Sequence, residues 1–162
     1  MSSSRRQFIG GAIGLGALAI VSRVRASSKQ SGHRFEVEKT EDEWKALLGP
    51  AAFHVMREGG TERPGSSPLL REHRFGTFLC LGCQLPLFSF KTKFESGTGW
   101  PSFYAPLSNA VETSEDSSLS ESRTEVHCRR CGGHLGHVFP DGPPPTGQRY
   151  CMNGIAFTFR PD

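Results

Sequence analysis

Five cysteines have the greatest capacity for chemistry in this 162-residue sequence, and four of them form two Cys-x-x-Cys pairs. The pairs are Cys80 with Cys83 and Cys128 with Cys131. Each pair sets two thiols on one tight turn, and two such turns supply the four thiolates of a structural zinc site. A pair of disulfides is the alternative, although a Cys-x-x-Cys disulfide closes a small ring and is typical of redox motifs. The pattern therefore favours one bound zinc ion.

The separation of the two pairs along the chain indicates what this zinc does. Forty-four residues lie between Cys83 and Cys128, whereas compact zinc ribbons have roughly 15–20 residues between their pairs. A metal bound by both pairs would hold two distant segments together. Because four thiolates leave no ligand position for water, we predict a structural rather than a catalytic zinc.

Cys151 is the fifth cysteine and lies in the stretch GQRYCMNG. If this stretch is extended, alternate side chains share a face, so that Arg149, Cys151 and Asn153 point the same way. A cation beside a thiol favours the nucleophilic thiolate, and an Asn amide can donate to a developing oxyanion. Most free cysteines, however, are buried and inert. These residues alone leave both a reactive and an inert thiol open.

Two further motifs carry side chains that suit chemistry beside a thiol. His134, His137 and Asp141 lie in GGHLGHVFPDG, and two histidines with a carboxylate suit proton transfer. Either histidine could instead be a surface residue or a metal ligand. Trp100 and Phe103, in SGTGWPSF, offer an aromatic face to a small apolar or sulfur-bearing group. Half-exposed packing is the commoner role of a Trp on such a loop.

The elements that must position these residues are short. Thr40 and Glu43 form a capping box that begins a helix, and Gly49-Pro50 is expected to end it. A second short helix is predicted up to Gly59-Gly60. From Arg74 onward, segments rich in Phe, Val, Thr and Ile predict a mainly β body of antiparallel strands. The strand segments are RFGTFLC, LFSF, RTEVHC and YCMNGIAFTFR.

One polar segment interrupts the strand pattern. TSEDSSLSES, residues 113–122, has low complexity. We interpret it as a hairpin loop between Val111 and Thr124.

The first 26 residues are predicted to be an export signal outside the folded domain. Paired arginines, Arg5 and Arg6, precede an apolar run of about 14 residues, and the small residues near Ala26 suit signal peptidase. A bilayer-spanning helix needs roughly 20 residues, so a membrane anchor is the less favoured alternative. SRRQF resembles a twin-arginine signal. It implies the twin-arginine translocase as a partner, export in the folded state and a bacterial periplasmic location.

The remainder divides into a flexible linker at 27–34 and one domain at 35–162. The leader carries four arginines and no acidic residue, so its removal lowers the formal net charge of +3 by four, to −1. The basic character therefore belongs to the leader. Nothing in the rest of the chain indicates a nucleic-acid partner.

From about Glu41 to Phe159 the chain resembles the methionine sulfoxide reductases of the B type, which reduce the R epimer of methionine sulfoxide. The resemblance is carried by GTERPGS, CLGCQLPLFSFKTKFESGTGWPSF and RTEVHCRRCGGHLGHVFPDGPPPTGQRYCMN. It implies a mainly β fold of two antiparallel sheets, clamped by a four-cysteine zinc site, with short N-terminal helices. It also implies oxidised proteins or peptides as substrates.

The resemblance implies a role for each candidate side chain. Cys151 would be the nucleophile and would become a sulfenic acid. Trp100 would surround the methyl group of the substrate. The remaining polar residues would act on the sulfoxide oxygen: His134, His137 and Asn153 would supply its proton, and Asp141 and Arg149 would order that network.

Thr98 is a departure from the pattern of this family. Many members have a resolving cysteine at this position, within SGTGWPSF, and here the residue is Thr. If four cysteines bind zinc, no second free thiol remains. The expected reductant of Cys151 is therefore an external thiol, either small or thioredoxin-like.

Two other classes of function remain open from the sequence. One is a zinc-clamped binding module without catalysis, in which Cys151 is dispensable. The other is a glutathione-handling lyase of similar architecture, in which a thiol substrate would lie near the metal.

Overall fold

The computed structural model describes residues 34–118 and 122–162. The predicted leader, 1–26, and all but the last residue of the predicted linker lie outside this part, so both stay predictions. Within the described residues, no helix is both long enough and apolar enough to cross a membrane.

The part of the chain that the structure describes contains one α-helix, α1, which runs from Glu41 to Glu58 and is broken in the middle. Its capping box is present, because Glu43 N–H donates to Thr40 Oγ1 while Thr40 N–H donates to Glu43 Oε2. Gly49 has non-helical angles, φ 69° and ψ 168°, and the following Pro50 has no N–H to continue the ladder. The two short helices predicted from the sequence are therefore the two halves of α1.

Nine strands lie within the described ranges, together with three short 3-10 helices at Pro68–Arg71, Phe90–Thr92 and Gly154–Ala156. The strands, in chain order, are β1 Gly76–Cys80, β2 Pro86–Ser89, β3 Lys93–Phe94, β4 Ser102–Phe103, β5 Val111–Asp116, β6 Arg123–Cys128, β7 His134–Phe139, β8 Arg149–Met152 and β9 Phe157–Pro161.

The strands form two sheets, and every pairing in them is antiparallel. One sheet has three strands in the order β2-β1-β9, and the other has six in the order β3-β4-β8-β7-β6-β5. The predicted mainly β architecture of two antiparallel sheets is confirmed.

The prediction of a hairpin loop at 113–122 is wrong for its first four residues. Residues 113–116 belong to β5 and pair with β6, up to the pair Asp116 and Arg123. β5 is an edge strand, and most of its side chains are partly or fully exposed. Polar side chains suit such an edge, because the backbone supplies the pairing with the neighbouring strand.

The last strand segment of the sequence divides between the two sheets. β8 lies in the six-stranded sheet and β9 in the three-stranded sheet, and residues 153–156 connect them. An aromatic core lies between the sheets and combines Phe78, Phe88 and Phe157 from one with Phe103 from the other.

Candidate active site and metal centre

The two Cys-x-x-Cys turns share one hydrogen-bond pattern. Cys80 O accepts from Gln84 N–H and Cys80 N–H donates to Leu85 O, at 2.8 and 2.9 Å. At the second turn, Cys128 O accepts from Gly132 N–H at 2.8 Å, and Cys128 N–H donates to Gly133 O at 2.9 Å. Gly132 has φ 66°, and a side chain there would collide with the ring of Phe35. Each turn is thus built by residues within six positions of one another.

The four cysteine sulfurs of these turns form one cluster, within 4.8 Å of one another. Cys80 Sγ lies 3.6 Å from Cys131 Sγ, and Cys83 Sγ lies 3.5 Å from Cys128 Sγ. A tetrahedral ion with metal–sulfur bonds of about 2.3 Å has sulfur–sulfur edges of about 3.8 Å. The four residues therefore fit one tetrahedral metal ion.

The position of this cluster explains how it can hold the fold together. Cys80 ends β1 in the three-stranded sheet, and Cys128 ends β6 in the six-stranded sheet. Arg57, near the end of α1, donates to Cys131 O at 3.0 Å. An ion at the cluster would connect both sheets and lie beside the helix.

Cys151 lies on β8, in the interior of the six-stranded sheet. Its backbone partner on β7 is His137, and its partner on β4 is Ser102. Residues directly opposite one another in a sheet have side chains on the same face. The next strand, β6, continues the row with Glu125 opposite His137. The pairing of strands thus brings a thiol, an imidazole and a carboxylate into one line.

Gly136 on β7 permits the close approach of β8. It has φ 151°, and a side chain there would collide with Cys151 O. Only a residue without a Cβ leaves this space free.

A small cavity of about 120 Å³ lies over Cys151. Four of the sequence-predicted residues line it: Trp100, His137, Cys151 and Asn153. The lining residues are Thr61, Trp100, Arg123, Gly136, His137, Phe139, Cys151 and Asn153.

His137 is buried, and its ring is bound to Asp116, which in turn binds Arg123. Its Nε2–H donates to Asp116 Oδ2 at 2.7 Å, and the Arg123 guanidinium donates to the same oxygen at 2.6 Å. Burial holds the pKa of His137 below its usual range, and Asp116 opposes that shift. Hydrogen bonds from Ser118, with a further one from His137, hold the pKa of Asp116 well below its usual range.

His134 lies behind His137 rather than in the cavity. The two ring centroids are 5.3 Å apart, and His134 Nδ1 is 2.7 Å from Glu125 Oε1. This hydrogen bond lowers the pKa of Glu125 to about 2. His134 Nε2 is buried and has no hydrogen-bond partner among the described residues. Any effect of His134 on a ligand of the cavity would therefore pass through its neighbours.

Asn153 and Trp100 are held by the same residue, Glu62. Glu62 N–H donates to Asn153 Oδ1 at 3.0 Å, and Trp100 Nε1–H donates to Glu62 O at 3.1 Å. Asn153 Nδ2 donates one hydrogen to Leu135 O at 3.2 Å. Because an amide nitrogen has two hydrogens, the second one is available to a bound group.

The side chain of Glu62 also helps to hold this segment in place. It accepts the N–H groups of Gly154 and Ile155, which directly follow Asn153. Burial raises the pKa of Glu62, and these backbone hydrogen bonds oppose the increase.

Arg149 and Asp141 form an ion pair beside the cavity and do not line it. Arg149 Nε and Nη2 donate to the two carboxylate oxygens of Asp141, each at 2.9 Å. The guanidinium also lies over the ring of Phe139, 4.4 Å from its centroid. The carboxylate of Asp141 raises the pKa of Arg149, and a smaller contribution comes from Cys151. The pair thus fixes a positive charge near the thiol.

Thr98 lies directly against the thiol. Its hydroxyl is 3.6 Å from Cys151 Sγ. The hydroxyl groups of Thr98 and Ser96 are 2.8 Å apart, and those of Ser96 and Ser102 are 2.7 Å apart. A chain of three hydroxyls therefore ends at the sulfur.

Phe103 is a correction to the sequence prediction. It is fully buried and stacks on Phe88 with ring centroids 4.5 Å apart. Its neighbour Ser102 is the residue opposite Cys151, so the alternation of β4 turns Phe103 away, into the core.

Sequence reasoning missed several residues of this region. Asp116 was assigned to a loop, and Arg123 and Glu125 have no motif of their own. The one available signal was the strand pairing, because aligning the polar segment 111–116 against 123–128 brings Asp116 opposite Arg123. Thr61 and Glu62 lie within GTERPGS, where neither residue type by itself indicates a role in the site.

A model of the SelR domain matches residues 48–161, well over half of the chain. The chain belongs to the SelR family. The matched SelR range begins inside α1 and contains both cysteine turns and every residue that lines the cavity.

Curated relatives of this SelR protein carry the name peptide methionine sulfoxide reductase MsrB. One from Pseudomonas putida (strain W619) is 52% identical over 128 residues, which are 78% of this chain and 96% of the relative. One from Methanosarcina barkeri is 54% identical over 125 residues, 76% and 88% of the two chains. One from Agrobacterium fabrum is 48% identical over 127 residues, 78% and 94% of the two chains.

Proposed function

We propose that this protein is a peptide-methionine (R)-S-oxide reductase, which reduces methionine-R-sulfoxide in oxidised proteins and peptides and so repairs them. The observation that carries the proposal is the pairing of Cys151 with His137 under a cavity that Trp100 and Asn153 also line. Membership of the SelR family, with relatives named MsrB, supports the same activity.

The reaction begins with attack of the Cys151 thiolate on the sulfoxide sulfur. The sulfoxide oxygen becomes strongly basic during this attack and must take up a proton. The oxygen then passes to Cys151, the substrate sulfur gains two electrons and methionine leaves. Cys151 has lost two electrons and is a sulfenic acid.

Each residue of the cavity suits one part of this reaction. His137 would supply a proton to the sulfoxide oxygen, and the free amide hydrogen of Asn153 would donate a hydrogen bond to it. Trp100 would contact the methyl group. His134, Asp141 and Arg149 act from behind or beside the cavity, where they order its charged groups.

The four clustered cysteines, Cys80, Cys83, Cys128 and Cys131, would hold one structural zinc ion. The donor set of four thiols and its tetrahedral spacing support zinc. Bound there, the ion would supply a cross-link between the sheets and no open ligand position. All proton and electron transfer would remain with the residues around Cys151.

An external thiol would reduce the sulfenic acid. The chain has five cysteines, and with four of them on zinc none remains to resolve Cys151. Two equivalents of a small thiol, or one thioredoxin-like dithiol, would return Cys151 to the thiol and release a disulfide and water.

Export to a bacterial periplasm by the twin-arginine translocase is part of the proposal. The SRRQF motif followed by a short apolar run supports it. A folded, zinc-loaded protein is the type of cargo that this route carries.

Turnover of the separate R and S epimers of methionine sulfoxide with a small dithiol tests the activity. We expect reduction of the R epimer alone, and none by Cys151→Ser. Protection of Cys151 from iodoacetamide by the R epimer would agree. Equal reduction of both epimers, or activity in Cys151→Ser, would overturn the assignment.

The same experiment tests the two rival classes. A binding module predicts that Cys151 is dispensable, and a lyase predicts turnover of a glutathione adduct. A metal with four protein ligands argues against the lyase, because it leaves no position for a thiol substrate.

A further inference from the structure

The segment between β3 and β4 approaches Cys151 from a side that the cavity does not use. Residues 95–101 connect these strands, and the Thr98 hydroxyl in this segment is 3.6 Å from Cys151 Sγ. Thr98 is half-buried and is not among the residues that line the cavity. A molecule bound in the cavity would therefore leave the contact between Thr98 and the thiol in place.

The hydroxyl chain formed by Thr98, Ser96 and Ser102 can direct a hydrogen to the sulfur. Each hydroxyl has one hydrogen to donate. If Ser102 donates to Ser96 over 2.7 Å and Ser96 donates to Thr98 over 2.8 Å, the Thr98 hydrogen is free for Cys151. Ser102 is 1% exposed, so the protein rather than the solvent sets the direction at the far end.

The hydroxyl chain has one competing direction. Ser102 Oγ is also 3.2 Å from Trp100 O, which can only accept. If Ser102 donates there, every hydroxyl turns round, and the Cys151 S–H must donate to Thr98. A thiol is a weak donor, whereas hydrogen bonds to an ionised acceptor are the stronger ones. The hydroxyl chain therefore favours the ionised sulfur over the neutral thiol.

We propose that Thr98 is a further catalytic residue, whose hydroxyl donates a hydrogen bond to the Cys151 thiolate and so increases the fraction of this nucleophilic form. The hydrogen stays on Thr98, so no proton is transferred. The consequence for sulfoxide reduction rests on the proposed function, and the consequence for the thiol itself does not. The residue at the position of the missing resolving cysteine would thus serve the first step of the reaction.

Ionisable groups on other elements also act on this thiol, and substitution of Thr98 leaves all of them in place. Residues 96–102 contain no ionisable side chain. The groups of the neighbouring strands, with the carboxylates bound to them, are His137, Glu125, Arg123, Asp116, Arg149 and Asp141. A difference between the wild type and a Thr98 variant therefore isolates the hydroxyl.

The test is the pH dependence of alkylation of Cys151 by iodoacetamide in the full, zinc-loaded protein, with the site located by mass spectrometry. Thr98→Val keeps the shape of the side chain and removes the hydroxyl. For a half-buried hydrogen bond to a charged group, we expect the midpoint of alkylation to rise by roughly half a pH unit to one unit. The rate at a pH below the midpoint should fall roughly three- to tenfold.

Two further variants separate the hydroxyl from a structural effect. Thr98→Ser keeps the hydroxyl and should restore the wild-type midpoint. Thr113→Val is the matched control, because Thr113 is exposed on β5 and does not line the cavity. It should leave the midpoint unchanged. If Thr98→Val does not fold, Thr98→Ala removes the same hydroxyl and carries the same expectation.

Single-turnover reduction of methionine-R-sulfoxide should fall in Thr98→Val by the same factor as alkylation. An alkylation midpoint that is equal in Thr98→Val and the wild type would overturn this inference while the proposed function stands. A midpoint that Thr98→Ser fails to restore would overturn it as well. Absence of R-epimer turnover by the wild type would instead overturn the proposed function, and the alkylation profiles would still decide whether Thr98 favours the thiolate.

Discussion

Cys80, Cys83, Cys128 and Cys131 have one another as neighbours, with sulfurs within 4.8 Å, whereas Cys151 has a hydroxyl, an imidazole and an aromatic ring around it. The thiol group is the same in both regions. In the first, four such groups together suit a metal, and in the second a single one faces a cavity of about 120 Å³. Under the proposed function, the neighbours therefore decide which cysteines would bind a structural metal ion and which one would react.

The two regions also differ in how the chain builds them. Each cysteine turn forms from residues within six positions of one another. The surroundings of Cys151 come from β4, β7 and β8 and from Glu62, which is 91 residues from Asn153 along the chain. The four-cysteine cluster lies where the two sheets meet, and the pairing of strands within the six-stranded sheet brings the residues around Cys151 together.

Loss of a cluster cysteine should have the largest effect. A structural zinc contributes about 10 kcal/mol or more of apparent free energy, which is comparable to the whole stability of a domain. We expect Cys131→Ser to yield unfolded or insoluble protein, measured by circular dichroism and metal content. The matched control, Cys151→Ser, should keep the wild-type zinc content and melting temperature. If Cys131→Ser were soluble and folded without zinc, the fold would not depend on a metal ion at the cluster, and this prediction would be wrong.

Removal of the imidazole opposite Cys151 should have the next largest effect. Positioned acids typically contribute a factor of about 10²–10⁴, so His137→Ala should slow single-turnover reduction by that factor. His73→Ala is the control, because His73 is exposed and lies outside the cavity. A rate for His137→Ala within twofold of the wild type would mean that another group supplies the proton.

Thr98→Cys should make the two regions more alike by adding a second free thiol beside Cys151. The Thr98 hydroxyl is 3.6 Å from the sulfur, so a cysteine there is within reach of the sulfenic acid. We expect one turnover without reductant to produce a disulfide between the two residues, detected by mass spectrometry. The variant should also be reduced more rapidly by thioredoxin.

The matched wild-type experiment should yield a sulfenic acid that dimedone traps and no disulfide. A wild-type disulfide accompanied by release of zinc would show that a cluster cysteine resolves the intermediate.

Asp116→Asn should have the smallest effect, a shift in the pH dependence of kcat/KM. Asp116 raises the pKa of His137 and burial lowers it more strongly. If protonated His137 supplies the proton, kcat/KM falls as pH rises through the pKa of His137. Loss of the carboxylate leaves the nearby Arg123 charge unopposed, so this pKa decreases further and the fall occurs at lower pH. A shift to higher pH, or no shift of the kcat/KM profile, would contradict this role.

Much of the site was predictable because its signals are local. A capping box, a glycine-proline break and two cysteine turns each depend on contacts within a few residues, and all are present. The family resemblance indicated in addition that four residues act together, and these four line one cavity: Trp100, His137, Cys151 and Asn153.

The order of residues specifies which chemical groups are available and which short local elements they form. The meeting of Asp116 and Arg123 at His137, the place of His134 behind the cavity and the burial of Phe103 in the core arise from the assembled sheets. These outcomes depend on strand register, because a shift of one residue turns every side chain of a strand to the opposite face. Register is set by pairing between segments that are distant in sequence, and no local pattern contains it.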